Sequence, residues 1–289
     1  MKRLTIAIVG ILVLFTSCST QPVNRDKSNP ESSLLWEISG NGLEKPSYLF
    51  GTMHIISKDD FFMPKHAMES LEKTDALVLE MDIDIPVKEQ VAMAQHIILP
   101  DGKTLADYMS VEDYELFKSI CIDSLGIGEG KFKRYSHMKP IFLSGILMAE
   151  YVGKVESYEK YFMSKSKKLD KEFIPLETLE FQLSMFDKIP IEEQVKDMKA
   201  TELIPELNKL IDSYLSQDLT RIQTVIEETE MDDKTEWDLL INRNLNWKVQ
   251  LIELMPKKSL FIAVGAAHLP GEQGVINLLK DSGYTVKPL

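Results

Sequence analysis

The sequence predicts a mixed α/β fold, a central, largely parallel sheet covered by helices, and three observations predict it. Short runs such as "ALVLE" and "LFIAVG" are apolar almost throughout, as strands buried on both faces are. Longer segments with helical spacing of apolar residues separate them. Near the start, "SLLWEIS" and "PSYLFGT" flank the turn-rich "GNGLEK", an antiparallel hairpin signal that makes the sheet mixed.

Taken in order, the chain opens with Lys2 and Arg3, an apolar run from Leu4 to Phe15, and small residues before Cys18. A positive start and a short apolar core describe a secretory signal over residues 1–17. A permanent span would need about 20 apolar residues. Cys18 directly after "FTS" resembles a bacterial lipobox, in which the thiol is lipidated and becomes the mature N-terminus. Residues 18–33 are polar and read as a flexible tether. The expected location is the bacterial cell envelope, with the domain outside the cytoplasm and lipid-anchored to a membrane.

The domain is expected over residues 34–289, long enough for one sizeable core. After the hairpin, "DALVLEMD" (Asp75 to Asp82) is the next strand. About Val87 to Asp170 is a mostly helical insertion, whose segment "KPIFLSGILMAEYVG" is apolar nearly all round and therefore buried. "KEFIPLET" (Lys171 to Thr178) returns to the sheet, a second helical block runs from Ile191 to Met255, and "KSLFIAVGAAH" (Lys257 to His268) is a further strand. "GYTVKPL" is an edge strand.

Composition removes one class of partner. A formal net charge of −12 argues against nucleic acid, whose phosphates demand a basic surface. Once Cys18 is lipidated, Cys121 is the one remaining thiol. Its apolar setting in "LFKSICIDSL" makes it a core residue without a catalytic role.

The chemistry gathers at strand ends. "SYLFG" leads to His54, "ALVLE" ends on Glu80, "FIPLE" ends on Glu177, and "FIAVG" leads to His268. In open sheets with helical crossovers, ligands bind outside the carboxyl ends of the strands. Two histidines and two carboxylates are therefore expected in one cleft, with Gly51 and Gly265 turning the backbone or letting it approach a ligand. A lone strand-end histidine is commonly structural, and a buried carboxylate can be held by a lysine; two histidines in matched settings favour function. His66, His96 and His137 lack such a setting and read as surface or helix-packing residues. In "TEWDLLINRNLNWKVQLIELM", Trp237, Leu240, Trp247, Leu251 and Met255 form an apolar stripe containing Asn244. A buried amide there needs partners. Arg243 flanks the stripe, either lying over a tryptophan or reaching the site to steady negative charge.

Together, "YLFGTMH", "ALVLEMD", "PLETLEFQL", "LLINRNLNW" and "FIAVGAAHLPGEQGVINLLKDSGYTV" resemble the TraB/GumN family from Leu34 to Leu289. That family includes Tiki-like proteins, regarded as metal-dependent peptidases with two GxxH motifs and a glutamate. The resemblance implies His54, His268 and Glu80 as metal ligands, one carboxylate serving instead as general base. It matches Arg243 and Asn244 to an "RNxxW" motif, and Leu176 to Thr178 to "LET". It implies manganese or cobalt; zinc stays open, since the ligand types do not choose. It also implies a peptide or protein substrate, and a fold shared with erythromycin esterases and ChaN-like haem-binding lipoproteins. The sequence has no HExxH motif, which sets aside the common zincin arrangement. Two rivals remain: a metal-free His/Glu esterase-like hydrolase, and a lipoprotein that captures a peptide or haem without turnover.

Overall fold

In the computed structural model, residues 33–86, 93–198, 200–229 and 232–289 are described. The signal, Cys18 and nearly all of the tether lie outside the described residues, as does the start of the first expected middle helix. Six strands form the main sheet: β1 (Leu35–Ser39), β2 (Ser47–Thr52), β4 (Ala76–Met81), β6 (Glu172–Glu177), β7 (Leu260–Gly265) and β8 (Thr285–Pro288). Two short strands, β3 (Ile56–Ser57) and β5 (Val155–Glu156), pair separately.

The sheet order is β6-β4-β7-β2-β1-β8. β6, β4, β7 and β2 run parallel, whereas β1 is antiparallel to β2 and β8. The expected mixed, largely parallel sheet is what forms, with "GYTVKPL" at one edge. The hairpin is set by its turn, where Gly40, Asn41 and Gly42 all take positive φ. β2 and β7, in the middle of the sheet, are buried along their whole length, which explains their unbroken apolar sequence.

Twelve α-helices are present among the described residues, and the expected helical middle is among them. They are α1 (Ala67–Lys73), α2 (Val111–Ser119), α3 (Glu129–Tyr135), α4 (Pro140–Val152), α5 (Tyr158–Lys168) and α6 (Leu179–Phe186), then α7 (Ile191–Asp197), α8 (Ala200–Leu215), α9 (Leu219–Glu228), α10 (Asp233–Glu236), α11 (Asn242–Leu254) and α12 (Val275–Asp281). None is long and apolar enough to cross a membrane. α4 buries the apolar run noted in the sequence, with Ile141, Phe142, Leu143 and Leu147 all buried. Cys121 is a buried free thiol, pushed up to about 12 by burial, which removes its nucleophilic form at neutral pH.

α5 locks onto the sheet through aromatic rings. Phe162 stands edge-on to Phe50 of β2, with centroids 5.1 Å apart, and lies 4.8 Å from Phe261 of β7. Such pairs add about 0.5–1.5 kcal/mol each beyond area burial. α5 thereby brings its first turn against the end of β2, which matters for the site below.

One sequence expectation fails here. Trp237 does not join the stripe of α11; it is 48% exposed. Residues Trp237–Ile241 form a π-helical turn, whose extra residue rotates Trp237 away while Leu240, Trp247, Leu251 and Met255 stay buried.

Phe162 is fully buried, so Phe162→Ala is expected to cost about 3–5 kcal/mol. Urea unfolding should show a lower midpoint at unchanged slope. A midpoint equal to that of the parent protein would contradict the docking of α5 described here.

Candidate active site

Four parallel strands end on the same side of the sheet, and the side chains named from the sequence meet there. β4 delivers Glu80, β6 delivers Glu177, the turn after β2 delivers His54, and a short 3-10 turn after β7 (Ala266–His268) delivers His268. α11 reaches across them with Arg243, Asn244 and Trp247, all buried. The expected convergence is present.

Arg243 is the centre of the arrangement. Its Nε–H bonds Glu177 (3.0 Å to Oε1, 3.1 Å to Oε2), and Nη2 donates to Glu177 Oε2 (2.9 Å) and Glu80 Oε2 (2.6 Å). Nη1 donates to the Leu239 carbonyl in the π-helical turn (3.2 Å) and faces His268 Nε2 (3.1 Å). All five N–H groups of the guanidinium are thus matched to protein acceptors. The guanidinium also lies 4.7 Å from the Trp247 ring centroid, so the expected Arg–Trp stacking occurs, although buried. Glu177 is filled by further donors, Trp247 Nε1 (2.9 Å) and Gln182 Nε2 (2.9 Å). Glu80 is less fully used. Its Oε1 accepts the Gly265 N–H (2.7 Å) and faces His54 Nε2 at 3.9 Å.

Hydrogen-bond logic fixes both imidazoles. Asn244 Nδ2 donates to the carbonyls of Gln273 (2.8 Å) and His268 (3.4 Å), which turns its Oδ1 towards His268 Nδ1 at 2.7 Å. His268 therefore carries its proton on Nδ1, and Nε2 is bare. His54 Nδ1 meets Glu159 Oε1 at 2.9 Å; an ionised carboxylate only accepts, so Nδ1 is protonated there as well. His54 Nε2 is turned to the shared space, whereas His268 Nε2 accepts from Arg243 Nη1 and presents Cδ2 to that space.

Their charge states differ. Burial and the neighbouring Arg243 cation lower His268 to about 3, against the opposing pull of Glu80, so it is neutral. Burial alone would lower His54, but the Glu159 charge and hydrogen bond, helped by Glu80, push it up to about 9. Burial would raise Glu80, yet Arg243, protonated His54 and the Gly265 N–H hold it well below the usual carboxylate range. Glu159 is lowered in the same way, burial being outweighed by His54.

Glu159 was not legible as a site residue. It sits in the first turn of α5, where Thr52 donates to Oε1 (2.8 Å) and Ser157 to Oε2 (2.8 Å). In sequence "SYEKYF" is an ordinary helix start; only the docking of α5 on β2 buries its carboxylate. Gln182 was missed likewise, although it stands inside the quoted "PLETLEFQL". His66, His96 and His137 remain outside the site, contacting Glu69, Asp187 and the Lys103 carbonyl.

The two glycines serve close approach; neither has positive φ. A Cβ on Gly51 would lie 3.1 Å from Ala266, so it admits the turn that carries His268. A Cβ on Gly265 would meet Glu80 Oε1 (3.2 Å), His54 Nε2 (3.4 Å) and His268 Cδ2 (3.5 Å). The space left by that missing methyl is where the three groups face one another.

Among the described residues, no three His, Cys, Asp or Glu side chains stand together at metal-ligand spacing. Arg243 lies between Glu80 and His268 and satisfies both. The donor chemistry nevertheless fits a divalent ion. Each imidazole is held at Nδ1, the second-shell pattern of metal-ligating histidines, and His268 would hold an ion at Nε2 only in exchange for its contact with Arg243. Three carboxylates, Glu80, Glu159 and Glu177, face one guanidinium and one imidazolium, leaving an excess negative charge in a buried place.

Comparison with known proteins places the sequence in a family. The family model described as the TraB/PrgY/gumN family matches residues 34–288. The protein named metalloprotease TIKI1 of Xenopus tropicalis is 23% identical over 90% of this chain, and its human counterpart 23% over 89%. The chain covers 62% of the length of each of these two relatives. The protein YbaP of Shigella flexneri is 23% identical over 81% of this chain and 88% of its own length. No solved structure matches significantly.

The raised His54 gives a pH dependence of stability. A raised folded value contributes stability fully below the ordinary 6.5 and loses it as pH rises through about 9. Metal-free protein should therefore lose stability across that window, and Glu159→Gln should flatten the loss. Equal slopes in thermal unfolding for both proteins would contradict the ion pair.

Proposed function

Because the chain belongs to the TraB/PrgY/gumN family, we propose that it is a metal-dependent hydrolase of peptidase type, anchored to a membrane. One observation carries the reading: His54, His268 and Glu80 face a common space around Gly265, both imidazoles held at Nδ1. Those three residues would hold a divalent ion. A metal is favoured by likeness to the TIKI proteins, which are named metalloproteases; the family resemblance implies manganese or cobalt, and the donor set also suits zinc. When bound, such an ion acidifies its water and polarises a scissile carbonyl.

The chain's own residues do the rest. Glu80 keeps its Oε1 side towards His54 and would serve as ligand or, instead of that, as general base, whereas Glu177 is consumed by Arg243, Trp247 and Gln182. Arg243, the expected oxyanion donor, has each N–H matched within the protein. We therefore assign it the positioning of Glu80, Glu177 and His268. Asn244 and Glu159 hold the two rings in register. The surrounding burial strengthens each of these interactions.

A metal-free route has one observation in its favour, the ion pair of protonated His54 with Glu80 at 3.9 Å. It would use these two groups as acid and base.

Peptides screened with Mn²⁺, Co²⁺ or Zn²⁺ and a chelator control separate the readings. His54→Ala and His268→Ala should each abolish cleavage while leaving the fold intact by circular dichroism. Glu159→Gln should reduce metal affinity or activity by about 10–100-fold, as lost second-shell partners do. Full activity in the double histidine variant excludes both hydrolytic readings. Chelator-resistant activity that needs His54 selects the metal-free one, and tight peptide or haem capture without product selects a binding protein.

Anchoring rests on the segment before Cys18, outside the described residues. Cys18→Ala should release the protein from the membrane fraction or block its maturation. Unchanged partitioning and processed mass would count against a lipid anchor in the cell envelope.

A further inference from the structure

Beside the site lies a cavity of about 140 Å³ whose wall includes His54, Gly265 and His268. Its remaining wall is built mainly from helices: Met148 of α4, Leu207 and Tyr214 of α8, Ile222 and Val225 of α9, and Leu240 of the π-helical turn. The Tyr214 hydroxyl is engaged, donating to the Gly51 carbonyl (3.0 Å), so the residue adds ring surface to the wall. Glu206 of α8 and Thr229, the residue that caps α9, add polar groups to this wall.

We propose that this cavity is the recognition pocket for one large apolar side chain of the peptide, next to the bond presented to His54 and His268. The inference rests on the hydrolase reading for the bond and on the cavity alone for the side chain. Size decides the occupant: an engineered apolar cavity of about 150 Å³ holds a benzene molecule. A phenylalanine, leucine or methionine side chain matches that volume, whereas a long acyl chain exceeds it. The pliable Met53 and Met148 in the wall let the pocket accept more than one apolar shape. A lysine or arginine side chain would bring its charge into a mainly apolar wall, with Glu206 as its counter-charge there.

The test needs no knowledge of the natural substrate. Full-length protein labelled at methionine methyl groups is titrated with the N-acetyl amides of phenylalanine, leucine, glycine and lysine. Phenylalanine and leucine amides should shift the Met148 methyl signal saturably, and the glycine and lysine amides should not. Val225→Trp, which fills the cavity, should abolish those shifts. It should also lower kcat/KM for phenylalanine-containing peptides by at least about tenfold, the scale of side-chain discrimination by a pocket. Leu240→Ala is a second variant that widens the cavity, and it should extend the binding to the tryptophan amide. No Met148 response, or a preference for the lysine amide, overturns the pocket, even if cleavage dependent on His54 persists. Selective binding without cleavage of any peptide leaves the pocket standing and removes the hydrolase reading instead.

Discussion

Among the described residues Arg243 is the one buried side chain with a permanent positive charge, and it is tied to two buried carboxylates and a histidine. Through it the ends of β4, β6 and β7 are joined to α11. Desolvating a guanidinium costs several kcal/mol, and it is tolerated because all five N–H groups find acceptors. Glu80 and Glu177 depend on it equally: without the cation they would be two like charges side by side in a place that water hardly reaches. Lysine could not replace it, since a point charge cannot span both carboxylates and the Leu239 carbonyl in one plane.

This dependence explains the order around the site. The π-helical turn before α11 presents the Leu239 carbonyl to the guanidinium, while one turn further on Trp247 closes over it and donates to Glu177. Asn244, next to Arg243, holds His268 and the Gln273 carbonyl of the following loop. Short-range helix geometry thus couples three separate strand ends. The opposite wall is simpler: Glu159 on α5 fixes His54, and α5 is seated by Phe162 against Phe50 and Phe261. Core packing and site geometry are therefore one problem on that side.

The two histidines, alike in sequence, end in opposite electrostatic surroundings. His268 faces a cation and stays neutral; His54 faces Glu159 and Glu80 and holds a proton. Three carboxylates facing one guanidinium leave a negative excess, which the proton on His54 partly offsets.

The sequence by itself determined the sheet, its mixed character and the meeting of His54, Glu80, Glu177 and His268, because apolar runs ending in a functional residue mark strands with a common C-terminal edge. It also singled out Arg243 and Asn244, since a polar pair inside an apolar helical stripe has to be partnered. Only the tertiary structure decided which charges pair. Glu159 and Gln182 look like exposed helix residues until α5 and α6 dock, and Trp237 leaves its stripe because a π-helical turn adds a residue that periodicity does not register. The same holds for Arg243, which sequence spacing offers as a free donor and burial turns into the tie between strands. Hydrophobic periodicity is a local property of the chain, whereas the partner of a buried charge is set by whichever distant segment desolvates it.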